Sequence, residues 1–186
     1  MSEVSRFVVV SGVPGSGKTT LARQLAPLLG LPLIDKDDIL ERLFDSNGLG
    51  DAAWRRTLSR EADRELQAEA TASAGAILVS FWHRPGMAAD SGTPTAWLSG
   101  LTEPKMNVHC VCPPDLAAER FFRRTRHPGH LDIQRSYEDI LRTIRDNDAL
   151  APIQFGTRIE IDTSGEVDVN AICAAIESLL GRRSSA

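Results

Sequence analysis

The feature that most constrains the fold of this chain is a glycine-rich loop near its start. The stretch VVVSGVPGSGKTTLA begins at Val8, and residues Gly12 to Thr19 fit the Walker A pattern G-x-x-x-x-G-K-[ST]. An apolar run precedes the loop, and the helix-like stretch LARQLAPLLG follows it. A strand before and a helix after are the context in which this pattern binds phosphate. The loop therefore predicts a nucleotide-binding strand–loop–helix unit, in preference to a glycine turn that holds no ligand.

The residue types in the loop suit phosphate chemistry. Glycine has no Cβ, so backbone N–H groups can curl around phosphate oxygens, and the N-terminus of the next helix adds partial positive charge. Lys18 can reach the β- and γ-phosphates of a nucleoside triphosphate, and the Thr19 hydroxyl can ligate Mg²⁺. The residues expected to bind nucleotide are Gly12, Val13, Pro14, Gly15, Ser16, Gly17, Lys18, Thr19 and Thr20.

Composition excludes several classes of protein. The 186 residues carry a formal net charge of −4, which gives no general attraction to nucleic acid or anionic membrane. No apolar run could span a bilayer and the start of the chain does not read as a signal peptide, so we expect a cytoplasmic protein. The three cysteines form neither a disulfide framework nor a zinc spacing. His127, His130 and Asp132 have metal-ligand chemistry, but their Gly- and Pro-containing context favours a mobile lid over a zinc site.

Strand-like and helix-like stretches alternate along the chain. This alternation predicts one α/β domain over 1–186 with a five-stranded parallel sheet and helices on both faces. The expected strands are Arg6–Ser11, Leu31–Ile34, Ala76–Phe81, Asn107–Cys112 and Arg158–Asp162, and the expected helices are 18–29, 37–45, 52–74, 114–126, 136–148 and 167–180. Two irregular segments, 83–105 and a lid at about 124–135, have the character of binding loops. The tail 182–186 is expected to be disordered.

A pair of aspartates follows the second predicted strand, in LPLIDKDDILERLF. In extended backbone Asp35 and Asp37 would point the same way, at the carboxyl edge of the sheet where ligands bind. We expect Asp35 to hold Mg²⁺ together with Thr19, and Asp37 to orient an acceptor hydroxyl and take its proton. The alternative is that Asp37 or Asp38 only caps the next helix, a role we assign to Asp38.

On these residues the chain resembles the small P-loop kinases that phosphorylate metabolites. The loop GVPGSGKTTLA and the segment DKDD look like those of shikimate kinase, gluconate kinase, chloramphenicol phosphotransferase, zeta-toxin-type kinases and the kinase domain of polynucleotide kinase. PPDLAAERFFRRTRHPGH is similar to the helix and arginine-bearing lid of that group, and RIEIDTSGEVDVNAI to its last strand and adenine-side loop. The resemblance implies a P-loop NTPase fold that uses ATP and Mg²⁺.

The resemblance also implies roles for residues beyond the loop. Arg120 and Thr163 would lie on the adenine side, and Arg126 would reach the phosphates. Arg123 and Arg124 are not separated by sequence, and we expect Arg124 to contact the nucleotide. The alternative for this cluster is a solvated basic face or cations at a helix C-terminus.

The acceptor side is less well defined. Phe81 ends the third predicted strand, and it could face the acceptor together with Trp82, His83 and Arg84, with Trp97 folding back. Equally, Phe81 and Trp97 could be core and His83 a surface residue.

Two departures bear on the acceptor. Arg55 and Arg56 lie near the place where shikimate kinases bind a carboxylate, but their spacing to Glu61 differs, which disfavours shikimate. Leu40 stands where polynucleotide kinases carry an arginine.

The sequence thus predicts an ATP-dependent kinase that phosphorylates a hydroxyl of a small molecule such as a sugar, sugar acid, cyclitol or antibiotic. Lys18, Asp37 and Arg126 are the predicted catalytic residues. The alternatives are a polynucleotide 5′-hydroxyl kinase and a nucleotide-binding switch without transfer activity. The third predicted strand ends in Ser80 and Phe81 rather than in an acid, which weighs against an ATPase motor.

Overall fold

Five parallel strands form the centre of the molecule. The computed structural model describes residues 6–181. The strands are β1 (Phe7–Ser11), β2 (Leu33–Asp35), β3 (Ala76–Val79), β4 (Lys105–Val111) and β5 (Thr157–Asp162), in the spatial order β2-β3-β1-β4-β5. The predicted α/β class and five-stranded parallel sheet are therefore confirmed.

Within residues 6–181, five α-helices lie between the strands and a sixth follows the last strand. They are α1 (Lys18–Leu29), α2 (Lys36–Asn47), α3 (Ala52–Ala72), α4 (Pro114–Arg123), α5 (Tyr137–Asp148) and α6 (Val169–Gly181). Short 3₁₀ helices at Ala96–Gly100, Pro128–His130 and Asp132–Gln134 lie in the two irregular segments. Within residues 6–181, none of the helices has the length and apolar character that crossing a membrane requires.

The order of the strands places a crevice at the end of β1. The chain leaves β1 toward β2 and β3 on one side, and then crosses to β4 and β5 on the other. In an open parallel sheet such a reversal leaves a gap between the loops at the carboxyl ends of the strands, where ligands bind. The glycine-rich loop between β1 and α1 lies at this gap.

Both faces of the sheet are buried, as the nearly continuous apolar runs of its inner strands require. Phe7 and Val9 of β1 pack on one side against apolar residues of α2 and α3. Val8 and Val10 pack on the other side against α1 and α6. The alternation of side chains along one strand thus builds both halves of the core.

A third apolar cluster joins the glycine-rich loop to the helices behind it. Val13 of the loop packs with Ala117 and Phe121 of α4 and with Ile140 of α5. The backbone approaches closely there, because a Cβ on Gly15 would lie 2.0 Å from the carbonyl oxygen of Ala117. This contact fixes the loop relative to α4, which leads into the lid.

Several predicted boundaries are wrong by one to three residues, and the shifts in β2, β3 and α4 change the site. β2 continues to Asp35 and α2 begins at once with Lys36, so Asp37 is in a helix rather than in extended backbone. β3 ends at Val79, two residues earlier than expected. α4 ends at Arg123, which leaves 124–126 outside the helix. The tail 182–186 lies outside the described residues.

Leu66 gives a test of the packing between α3 and the sheet. Its side chain is fully buried (0 % exposed) in the apolar cluster that α2 and α3 form with the sheet, whereas Leu28 on α1 is 47 % exposed. Leu66→Ala should lower the free energy of unfolding by about 2–5 kcal/mol, since it removes buried methyl groups and leaves a cavity. Leu28→Ala, the control, should change it by less than about 0.5 kcal/mol. Equal effects of the two changes in urea denaturation would contradict this packing.

Candidate active site

One cavity of about 800 Å³ occupies the crevice at the carboxyl edge of the sheet. The glycine-rich loop, the start of α2, one face of α3 and the lid enclose it. The charged residues that line it are Lys18, Asp35, Lys36, Asp37, Arg55, Arg56, Arg60, Asp63, Asp90, Arg120, Arg124, Arg126, Asp132 and Arg135. The predicted P-loop, aspartate and lid residues therefore meet at one place.

The backbone of the loop is shaped to receive an anion. Gly12, Gly15 and Gly17 all have positive φ angles, of 140°, 79° and 85°. The Ser16 hydroxyl is buried and has no hydrogen-bond partner among the described residues. Glycine backbone and an unpaired buried hydroxyl fit a phosphate group, which accepts hydrogen bonds from several donors at once.

Lys18 supplies the positive charge of the loop. Its Nζ donates hydrogen bonds to the carbonyl oxygens of Gly12 (3.0 Å) and Val13 (2.9 Å). Burial lowers the pKa of Lys18 to about 8, so the ammonium remains mostly charged at neutral pH. The ammonium group thus lies within the turn of the loop, as a phosphate-binding lysine requires.

Arg120 and Thr163 support the loop from behind. The Thr163 hydroxyl lies 2.7 Å from the carbonyl oxygen of Ser16 and 2.9 Å from that of Val111, and can donate to either. Arg120 donates to the carbonyl oxygens of Thr163 (2.7 Å) and Ser164 (2.9 Å). Thr163 is buried and does not line the cavity, whereas Arg120 does. Thr163 therefore stabilises the backbone of the glycine-rich loop through its contact with Ser16.

Asp35 and Thr19 form an oxygen pair at the edge of the loop. Thr19 Oγ1 donates to Asp35 Oδ2 at 2.8 Å, and Asp35 Oδ1 accepts from the backbone N–H of Asp37 at 3.0 Å. Burial, and then the nearby charge of Asp37, raise the pKa of Asp35 to about 6. Hydroxyl and carboxylate oxygens are the ligands that Mg²⁺ prefers, and it commonly takes only one or two from the protein. These two residues therefore fit the predicted metal site.

The N-cap of α2 is Asp35, and the role predicted for Asp38 is wrong. The carboxylate of Asp38 instead pairs with Arg23 at 2.9 Å, and both side chains are exposed. Asp37 is not a cap either, since it lies in the first turn of the helix. Asp35 and Asp37 still face the same cavity, because the chain turns into α2 between them.

Asp37 lies beside an arginine of the lid. Its Oδ2 accepts from Arg126 Nη2 at 2.5 Å, while Arg126 Nη1 donates to Asp132 Oδ2 at 3.0 Å. Burial opposes ionisation of Asp37, but Arg126, His130 and Arg124 together lower its pKa below the usual value. The carboxylate is therefore ionised at neutral pH and available as a proton acceptor.

Two histidines hold the lid against α2. His127 Nε2 lies 3.2 Å from Asp45 Oδ1, and His130 Nε2 lies 2.9 Å from Glu41 Oε1. Both rings contact Phe44, His127 in a stacked arrangement and His130 edge-on.

The alternative of a zinc site finds no support in these contacts. Within residues 6–181, no three His, Cys, Asp or Glu side chains are grouped so that they could hold a metal ion. The histidines of the lid bond to α2, which fits the predicted lid.

Most of the residues considered for the acceptor side face elsewhere. Only Phe81 lines the cavity. Trp82 is buried, with its indole N–H donating to the carbonyl oxygen of Val10, and Trp97 packs against it. His83 bonds to the carbonyl oxygen of Ser91, and Arg84 is buried toward Leu150. These residues follow the end of β3 at Val79, and Trp82 is held there by an isolated parallel bridge to Thr93.

A polar network between α2, α3 and the segment after β3 was not predicted from the sequence. Lys36 Nζ pairs with Asp63 Oδ1 at 2.6 Å, and Thr93 Oγ1 donates to the same carboxylate oxygen at 2.7 Å. Thr93 is in turn 2.6 Å from the Ser80 hydroxyl. This network ties α2, α3 and the segment after β3 together beneath the cavity. The one available signal was the position of Asp63 eight residues after Arg55, on the same helical face.

The predicted arginine cluster divides between the surface and the cavity. Arg123 points outward and pairs with Glu119 at 2.8 Å. Arg124 lines the cavity and stacks on the Phe121 ring, with 4.3 Å from its Cζ to the ring centroid. Of the two arginines that sequence did not separate, Arg124 is therefore the one that faces the cavity.

The sequence of this chain is similar to a known family and to named kinases. Residues 7–138 match the family AAA_33, described as an AAA domain. A shikimate kinase from Corynebacterium glutamicum is 39% identical over 75 residues, which are 38% of this chain and 43% of that kinase, so the match spans less than half of the relative's length. A cytidylate kinase from Pyrobaculum islandicum is 25% identical over 158 residues, covering 83% of this chain and 76% of the relative.

A solved structure gives the corresponding result for the fold. A candidate kinase from Chloroflexus aurantiacus j-10-fl shares 26% sequence identity and a TM-score of 0.78, covering 96% of this chain and 100% of that one. The predicted P-loop fold and the predicted resemblance to small P-loop metabolite kinases are thus confirmed. Because the family match covers well over half of the chain, this protein belongs to the AAA_33 family of P-loop domains.

Proposed function

We propose that the protein transfers the γ-phosphoryl group of ATP to a hydroxyl group of a small molecule. The observation that carries this proposal is the position of Asp37, an ionised carboxylate paired with Arg126 in the cavity that also holds the P-loop lysine. A P-loop alone would suit any nucleotide-binding protein. The carboxylate and arginine beside it are the groups that transfer to a hydroxyl needs.

The P-loop side of the cavity would bind the nucleotide. The loop N–H groups and Lys18 hold the phosphates, and Arg124 lies where it can meet them. Thr19 and Asp35 would hold Mg²⁺, which neutralises charge on the phosphates when it is bound. Magnesium and ATP are proposed from this donor set and from the similarity to named kinases.

Asp37 would act on the acceptor. It hydrogen-bonds the acceptor hydroxyl, aims its oxygen at the γ-phosphorus and takes the proton as the new P–O bond forms. The bond from the γ-phosphorus to the bridging oxygen breaks in the same step, and ADP leaves. Arg126 stands next to Asp37 and would stabilise the negative charge on the phosphoryl group as it is transferred.

The two alternatives explain less of the site. A nucleotide-binding switch has no need of a carboxylate that an arginine holds ionised. A polynucleotide acceptor is disfavoured by the net charge of −4 on the whole chain, which would repel a long polyanion. A 5′-hydroxyl oligonucleotide nevertheless belongs in any acceptor screen.

Asp37→Asn tests the proposed base. The change keeps the size of the side chain but removes its charge and basicity. General-base contributions are about 10²–10⁴-fold, so kcat should fall by that order with each acceptor, while ATP affinity measured by calorimetry stays nearly unchanged. Asp38→Asn is the matched control, since Asp38 is exposed and pairs with Arg23, and its activity should be normal. Near-normal transfer by the Asp37 variant would remove this residue from the mechanism.

Asp35→Asn tests the metal site. Without the carboxylate, the Mg²⁺ concentration for half-maximal activity should rise about tenfold or more. The neutral hydroxyl of Thr19, the other proposed metal ligand, cannot replace the lost negative charge. Mn²⁺ should restore part of the activity. A magnesium titration identical to that of the unmodified protein would show that Asp35 is only the cap of α2.

A further inference from the structure

One face of α3 presents three arginines to the cavity. Arg55, Arg56, Ser59, Arg60 and Asp63 all line it. Their spacing places them on one side of the helix, because residues three and four apart are neighbours on a helical surface. The polar network fixes the Asp63 end of this face against Lys36.

These three arginines have no protein partner. Within residues 6–181, neither a hydrogen bond nor an ion pair joins Arg55, Arg56 or Arg60 to another group, and Arg55 Nε is buried without an acceptor. Arg64, one to three turns further along the same helix, pairs with Glu61. A buried donor without an acceptor is costly, so Arg55 Nε at the wall of the cavity indicates a ligand that supplies the acceptor. Arg56 and Arg60 are exposed beside it and add positive charge to the same face.

The start of α2 joins the P-loop to the arginine face of α3. Asp35 accepts a hydrogen bond from Thr19 at the P-loop. The next residue, Lys36, pairs with Asp63 on the arginine face of α3. Asp37 follows directly, in the same cavity as both the P-loop and this face.

The charge of the cavity favours an anionic occupant at this face. Nine cationic and five carboxylate side chains line it, a balance of +4, whereas the whole chain carries −4. The nucleotide phosphates would use the positive charge around Lys18 and Arg124. The three α3 arginines would still have no hydrogen-bond or ion-pair partner in the part of the chain that the structure describes when the P-loop is filled.

We infer that the acceptor is a hydroxyl compound that already carries a phosphate monoester, bound by Arg55, Arg56 and Arg60 while its hydroxyl meets Asp37. This inference rests on the proposed function. A phosphate has three acceptor oxygens and close to two negative charges, which matches several guanidinium groups. A carboxylate has two oxygens and one charge, and would leave part of this face unpaired.

Phosphate binding can be measured apart from transfer. The full chain is saturated with Mg²⁺ and a non-hydrolysable ATP analogue, and inorganic phosphate is then titrated in by calorimetry. The unmodified protein should show one saturable site. Arg55→Ala and Arg60→Ala should each weaken it by about 10- to 100-fold, since hydrogen bonds to charged groups are lost. Arg64→Ala, the control on the same helix, should bind as the unmodified protein does.

Two results would overturn the phosphate site. One is the absence of saturable phosphate binding once the P-loop is filled. The other is equal binding by the Arg64, Arg55 and Arg60 variants. Arg60 is exposed, so its replacement tests the site even if the Arg55 variant does not fold.

Matched acceptors connect the site to the reaction. Glycerol is compared with glycerol 3-phosphate, and ribose with ribose 5-phosphate, with gluconate as a carboxylate probe. The phosphorylated member of each pair should be the better substrate, ³¹P NMR should show a new phosphate ester, and Arg55→Ala should raise KM about tenfold or more with a smaller effect on kcat.

The failures of the two proposals differ. Transfer to gluconate or to the neutral alcohols at equal efficiency overturns this inference and leaves the kinase proposal standing. A phosphoanhydride product overturns the hydroxyl acceptor. Phosphate binding without transfer to any hydroxyl compound contradicts the proposed function while the anion site remains.

Discussion

The carboxylate of Asp35 connects the two halves of the cavity. One oxygen accepts from Thr19 at the start of α1, and the other accepts from the backbone N–H of Asp37 at the start of α2. Because Asp35 is also the last residue of β2, the phosphate-binding loop and the proposed base are held at a fixed relation to the sheet. The same burial that fixes this carboxylate raises its pKa to about 6, a cost that an adjacent cation would offset.

Charged side chains in the cavity form ion pairs with one another, and a ligand could replace one partner of such a pair. Arg126 bonds to both Asp37 and Asp132, while the histidines of the lid bond to acidic residues of α2. The lid is thus held to α2 by hydrogen bonds and ion pairs, together with contacts to the Phe44 ring. Such contacts can be exchanged for contacts to phosphate without opening the core, which is what a lid over a nucleotide requires.

Local patterns in the sequence predicted the parts of the molecule that depend on local chemistry. The Walker A pattern determined the loop and its flanking elements, and apolar alternation predicted all five strands to within two residues at most ends. The direction of Trp82 and Arg84 could not be predicted, because Trp82 pairs with Thr93 in a later part of the chain, and no local pattern encodes that contact.

The same limit applied to contacts between distant parts of the chain. Arg126 meets Asp37 across 89 residues, and Lys36 meets Asp63 from another helix. No periodicity within either segment encodes such pairs. The resemblance to known kinases predicted that Arg126 would reach the phosphates. Only the fold shows that Arg126 also forms an ion pair with Asp37, the proposed base.

The central claim is that ATP and a hydroxyl compound react in this cavity. The most direct measurement uses ATP labelled in its γ-phosphate with a mixture of alcohols, sugars, their phosphates and a 5′-hydroxyl oligonucleotide. The label should appear in a phosphate ester of a small molecule, and Lys18→Ala should abolish this product and weaken ATP binding. Tight ATP binding with label found only in ATP, or full activity of the Lys18 variant, would contradict it.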